Sequence, residues 1–186
     1  MAKNGLRNKI SSFLLNREIQ KRRRIQGKSL TFETAKSIGI LYDATDDHDY
    51  ELMKSYVRNL MSYSKEVVAL GYYNAMELPN TRFMKLGLDF FTKKSLNFRM
   101  RPSNPIVNNF IAKPFDILIL FNTNKCIPLF YIAHEVRAGF KIGRYDKNST
   151  GLLDFMVKDT GTERGSVNLK DLITNVNHYL MLIKNG

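Results

Sequence analysis

The stretch Phe115-Asp116-Ile117-Leu118-Ile119-Leu120-Phe121 decides how the rest of the chain is read. Apolar residues run through it without a polar alternation, so a strand here must be covered on both faces, as in a parallel sheet flanked by helices. Two earlier segments repeat that character: residues 37–43 (SIGILYD) and 66–73 (EVVALGYY). Between them, residues 47–64 place Leu52, Tyr56, Leu60 and Tyr63 on one helical face, with Val57 and Met61 beside it. Thr45, Asp46 and Asp47 supply capping chemistry at its start. Strand, helix and strand in this order imply parallel strands joined by a crossover.

Downstream the same alternation continues. Residues 88–91 are predicted as a short strand and residues 105–113 as a short helix closed by Pro114. Pro128 suits the first turn of a helix over 128–138. Residues 140–142 and 152–157 read as strands, and Asn168 with Asp171 as the capped start of a last helix bearing Leu172, Val176, Tyr179, Leu180 and Ile183. The expectation is a single doubly wound, mostly parallel α/β sheet, Rossmann-like or flavodoxin-like, over residues 37–186, preceded by a basic helical arm over residues 1–36.

Composition narrows the function classes. The 186 residues carry a formal net charge of +12, with 44% hydrophobic and 11% aromatic residues, which excludes a disordered chain. No apolar run reaches the ~20 residues of a membrane-spanning helix, and the charged N-terminus lacks a secretory signal, so a cytoplasmic protein is expected. One cysteine, Cys126, excludes an intrachain disulfide and a multi-cysteine metal site.

The charge is uneven. Residues 1–37 hold ten Lys or Arg against Glu18 and Glu33. Leu6, Ile10, Phe13 and Leu14 form a helical stripe that gives way to Arg17 and then to Lys21, Arg22, Arg23 and Arg24, with Lys28 beyond. Such a helix can dock its first half on protein and set its second half against phosphates. A second basic stretch contains Arg82, Lys85, Lys93, Lys94, Arg99, Arg101 and Lys113 against Glu77 and Asp89. Within it, Phe90, Phe91 and Phe98 lie among Lys93, Lys94, Arg99 and Arg101, the composition of a surface on which single-stranded bases stack. Half-buried sheet-edge aromatics would look the same.

Most motifs fail on inspection. Gly27-Lys28-Ser29 resembles the end of a phosphate-binding loop, but the leading glycine position is Arg22 and a strand follows rather than precedes it. G-x-G-x-x-G and G-x-S-x-G are absent, and His48, His134 and His178 are scattered. Cys126 and His134 fall at opposite ends of one helix, too far apart for a nucleophile and its base. Asp43, Thr45 and Asp46, with Asn122 and Asn124, lie beyond the ends of two strands, where doubly wound folds bind ligands. Helix capping accounts for these acids more simply than a metal does. The glycine-bounded loop 160–166 ahead of the last helix is read as a surface loop sooner than as an anion cradle. No catalytic residue, metal or cofactor is assigned.

The run 115–120, the helix from Pro128 to Ala138 and Phe140-Lys141-Ile142-Gly143 resemble an uncharacterised family of small bacterial proteins, a domain of unknown function common in Bacteroidota. The likeness extends to the basic N-terminal helix, the strand I-G-I-L-Y-D, the segment F-F-x-K-K-x-L-N from Phe90 to Asn97, and the D-F-M strand at Asp154. It implies the fold and brings no activity. The D-x-L-I, helix, K-I-G pattern also resembles the N-terminal half of lipopolysaccharide heptosyltransferases, with Leu120 where their strand has a second acid. Those enzymes use two Rossmann-like domains, so this likeness implies shared fold rather than glycosyl transfer.

The leading expectation is a non-enzymatic RNA-binding accessory protein, associated with ribosomes or RNA processing. Arg17, Lys21, Arg22, Arg23, Arg24 and Lys28, joined by Lys93, Lys94, Arg99 and Arg101, would neutralise phosphates. A small-ligand or phosphosugar-binding domain, a degenerate enzyme with its pocket at Asp43, Thr45, Asp46, Asn122 and Asn124, is the alternative. Attachment to an anionic membrane surface through the same arm is the third.

Overall fold

A computed structural model describes residues 2–21, 31–82, 87–146, 150–158 and 168–182. In chain order the elements are α1 (Ala2–Lys21), β1 (Ser37–Asp43), α2 (Asp47–Ser62), β2 (Glu66–Tyr73), β3 (Leu88–Thr92), α3 (Pro105–Ala112), β4 (Phe115–Phe121), α4 (Ile127–Glu135), β5 (Ala138–Arg144), β6 (Phe155–Val157) and α5 (Leu169–Leu182). The strands pair in the order β3-β2-β1-β4-β5-β6, every pairing parallel. The chain thus builds outward from β1 to β3, returns to the other side of β1 with β4, and builds outward again. That order defines a Rossmann-like sheet whose topological switch point lies between β1 and β4.

Period-two alternation divides the apolar strands between two cores. Ile38, Ile40, Tyr42, Ile117, Ile119 and Phe121 face α2 and α5, where Met53, Leu60, Leu172, Val176 and Leu180 cover them. Leu41, Leu70, Leu118 and Leu120 face the other way, packed with Val107 and Phe110 of α3 and with Leu129 and Ile132 of α4. Leu15 and Ile19 of α1 belong to this second core, so the N-terminal helix is part of the domain's packing. Asp116 ties the starts of β1 and β4 together by accepting the backbone N–H groups of Lys36 (2.7 Å) and Ser37 (3.0 Å).

Several expectations shift in detail. The buried face of α2 is Tyr50, Met53, Tyr56, Val57 and Leu60, while Tyr63 is exposed and Leu52 only partly buried. Tyr56, Val57 and Leu60 of the expected stripe thus lie on the core, which extends to Tyr50 and Met53 instead of to Tyr63. Helix α4 stops at Glu135, where Lys141 Nζ donates to the carbonyls of Ala133 (2.6 Å) and Val136 (2.8 Å), and the chain turns into β5. The strand expected over 152–157 pairs only over Phe155–Val157. Leu152 and Leu153 are buried without joining the sheet, next to Gly151, where an added Cβ would come 2.9 Å from Ile19 Cγ2. No helix is found between β2 and β3 among the described residues, and that connection re-enters the sheet through Gly87 at φ +79°. Loop 160–166 and Ile183 lie outside the described residues.

Candidate functional site

Two regions bring together the residues singled out in the sequence. The first is the crevice at the carboxyl ends of β1 and β4. Asp43 is buried there. Its Oδ1 accepts Thr45 N–H (3.0 Å) and Thr45 O–H (2.6 Å), and its Oδ2 accepts Asn124 Nδ2 (2.9 Å) and Cys126 Sγ–H (3.3 Å). Asn122 grips the backbone of Cys126 from both sides: its Oδ1 accepts the N–H at 2.6 Å, and its Nδ2 donates to the C=O at 3.1 Å. Thr45 Oγ1 in turn accepts Asn74 N–H at 3.1 Å. Four of the five residues assigned to a strand-end pocket therefore form one network, but they satisfy one another.

The fifth, Asp46, does other work. It is the N-cap of α2, its Oδ1 accepting the N–H groups of His48 (2.8 Å) and Asp49 (3.1 Å). A phosphate at this helix start would meet a carboxylate already on those amides, with Asp43, Asp47 and Asp49 nearby. Burial raises the Asp49 pKa, helped by the charges of Asp46 and Asp43. Burial also pushes the Cys126 thiol well above its ordinary range, with Asp43 adding to the effect. Tyr72 is pushed up to about 12 by burial and then by Cys126 and Asp43, against the opposing charge of Arg7. Cys126 is thus a protonated hydrogen-bond donor at neutral pH, and a poor nucleophile. Among the described residues no group of three or more metal-binding side chains comes together.

The sequence reading missed Arg82 as part of this end of the sheet. Its side chain is buried, donates to Ala44 C=O (3.2 and 3.3 Å), pairs with Asp47 at 2.6 Å, and lies 4.2 Å from the Tyr50 ring centroid. It belongs to the irregular connection after β2, so no periodicity could have placed it.

The second region is α1. The side that packs on the domain is Ser11, Leu15 and Ile19, each buried and spaced four apart. The small Ser11 lets the helix approach α4, and Tyr131 O–H donates to Ser11 C=O at 3.4 Å. The expected docking residues lie elsewhere: Leu6 is 64% exposed, Ile10 52% and Phe13 66%, and only Leu14 of that stripe is partly buried. The reason is geometric. Leu6 and Leu15 are nine residues apart, as are Ile10 and Ile19, and nine residues make about two and a half helical turns. The heavier apolar stripe therefore points away from the core. Lys9 and Arg17 are exposed along with it.

A turn beside α1 carries Phe98, the exposed one of the three phenylalanines Phe90, Phe91 and Phe98. Residues 97–101 are closed by Asn97, whose N–H donates to Arg101 C=O (3.1 Å) and whose Oδ1 accepts the N–H groups of Arg99 (2.9 Å) and Arg101 (3.1 Å). Arg7 of α1 reaches over to it, donating to the carbonyls of Asn97 (2.7 Å) and Phe98 (3.0 Å). Phe98 is 75% exposed, with the Arg99 guanidinium 5.1 Å from its ring centroid. Phe90 and Phe91, by contrast, are buried in β3, one in each core. A three-ring stacking platform is therefore not formed, because alternating strand residues are consumed by the two faces of the sheet.

The second basic stretch is also partly spent inside the fold. Arg82 is buried, Lys113 pairs with Glu66 at 2.6 Å, and Arg101 pairs with Glu135 at 2.8 Å on the rim of an open groove of about 600 Å³. That groove has mixed charge, with Glu18 and Glu135 facing Arg101 and Arg137. Lys93, Lys94 and Arg99 are exposed. Arg22, Arg23, Arg24 and Lys28 lie outside the described residues, and of Lys21 only the backbone is described.

Sheet order, two-sided core and integrated basic helix define a Rossmann-like α/β protein without a nucleotide-binding fingerprint. A family model described as a family of unknown function (DUF6913) matches residues 7–183, and the chain belongs to that family. The match takes in most of α1 as well as the whole sheet. No curated protein and no solved structure matches the chain.

Proposed function

We propose that this protein is a non-enzymatic domain that docks on a polyanion through the outward side of α1 and the neighbouring cations of residues 93–99. The observation that carries the reading is the way α1 is held: Ser11, Leu15 and Ile19 fix it on the domain and leave Lys9 and Arg17 exposed on a rigid element. In sequence the charge then continues through Lys21, Arg22, Arg23 and Arg24. Docking of this kind neutralises phosphates without reading sequence, and it weakens steeply with salt. RNA is one such polyanion, and Lys93, Lys94 and Arg99 beside Phe98 are the contacts it would use. The strand-end alternative suits a phosphosugar poorly, because Asp46 occupies the helix amides an anionic group would seek.

The test is retention of the full chain on heparin and on an RNA homopolymer as salt is raised. Wild-type protein is expected to elute late, and Arg17→Glu combined with Arg22→Glu, Arg23→Glu and Arg24→Glu to elute near the void, with the melting temperature unchanged. Retention indifferent to those four substitutions would place the charge-driven contact elsewhere.

A further inference from the structure

Resting on that reading, we infer that the polyanion is the headgroup surface of an anionic lipid bilayer, with α1 lying in its interface and Leu6, Ile10 and Phe13 entering the acyl boundary. Three large apolar side chains on one side of a helix, each more than half exposed, are the anomaly that charge alone leaves unexplained. The packed side of α1 already has its apolar complement in Leu15 and Ile19, so the outer stripe adds nothing to the fold.

Charge decides the occupant. Lys9 and Arg17 are exposed on the same helix, and the run from Lys21 to Arg24 follows directly in sequence, the arrangement of an interfacial helix with a polybasic segment. A second copy of the chain would bring a like-charged helix against this one. RNA would use the cations but gain nothing from Leu6 and Ile10, which have no ring to stack. A lipid surface uses both kinds of residue: the aliphatic and aromatic side chains partition inward, and the cations meet the headgroups. Arg7 fastens the turn bearing the exposed Phe98 to the same helix, so a further exposed apolar side chain is tied to α1.

The experiment is flotation of the full-length protein with two vesicle compositions, pure phosphatidylcholine and phosphatidylcholine with about one-third phosphatidylglycerol, run alongside retention on heparin and RNA. Wild type is expected to float with the anionic vesicles and to stay behind with the neutral ones. Combined Leu6→Gln, Ile10→Gln and Phe13→Gln should lower the partition coefficient at least about tenfold, since each buried methylene is worth about fourfold. Heparin retention and the melting temperature of that variant should match wild type. Flotation unaffected by the triple substitution overturns the inference. Retention on RNA and heparin without flotation also overturns it and leaves polyanion docking standing. Loss of all three overturns both readings together.

Discussion

The strand-end crevice and the outer side of α1 use opposite materials. In the crevice, Asp43, Thr45, Asn122, Asn124 and Cys126 are polar, enclosed and mutually hydrogen-bonded. On α1, Leu6, Ile10 and Phe13 are apolar and face water. The crevice stands where this fold class binds ligands, yet each of its carboxylate oxygens is already engaged by its own chain. The helix lies outside that place, yet it carries side chains that contribute nothing to the fold. Position in a fold therefore points to the crevice, and unspent interaction energy points to the helix. The second is the better guide, because a satisfied polar network explains itself while exposed large apolar residues on one side of a helix do not.

The comparison is sharpest within α1 itself. Leu15→Ala and Ile19→Ala should each destabilise the domain by about 2–5 kcal/mol, the usual result of emptying a packed site. Leu6→Ala and Ile10→Ala should change it by less than about 0.5 kcal/mol. Urea unfolding followed by circular dichroism separates the two pairs, and equal losses would mean that the outer stripe is covered.

A smaller effect is expected in the crevice. Asp43→Ala removes the acceptor of four donors and should cost about 1–3 kcal/mol, measured by the same unfolding curves. Asp46→Ala, which removes only a helix cap, should cost about 1 kcal/mol. A ligand-binding crevice held in reserve would reverse that ranking, since relieving a strained or uncompensated acid stabilises.

The smallest effect on stability, and the clearest on chemistry, concerns Cys126. Its pKa is raised, so the thiol stays protonated as pH climbs through the range where an ordinary cysteine ionises. Iodoacetamide labelling of the folded protein should remain slow at pH values where the urea-unfolded chain labels fast, as read by intact mass. Rapid labelling of folded protein would return Cys126 to the list of candidate nucleophiles.

The sheet was legible because residues 38–42, 67–73 and 117–121 run without a charged residue or a polar alternation, and only a two-sided core accommodates such strands. Capping chemistry among Thr45, Asp46 and Asp47 was legible from their place before a periodic segment, and the structure assigns the cap to Asp46. The face of α1 was not. Both of its stripes contain Leu and Ile at helical spacing, and the outer one, with Phe13, is the heavier. What selects the inner stripe is Ser11, a small residue that a hydrophobicity pattern discounts but close helix packing requires. Phe90 and Phe91 were ambiguous for a related reason. Adjacent strand residues can be both buried only when each face of the sheet is covered, which depends on helices distant in sequence. Arg82 and Arg7 act through contacts with residues 38 and 91 positions away, beyond the reach of any local pattern.

The central claim, that the outer side of α1 enters a lipid interface, has a direct optical test. The chain has no tryptophan, so Phe13→Trp introduces a single reporter on the exposed stripe. Its emission should resemble that of a solvent-exposed indole in buffer and with phosphatidylcholine vesicles. With vesicles containing phosphatidylglycerol it should shift to the blue and become shielded from iodide. Emission that stays unshifted while the protein remains on heparin would contradict the claim.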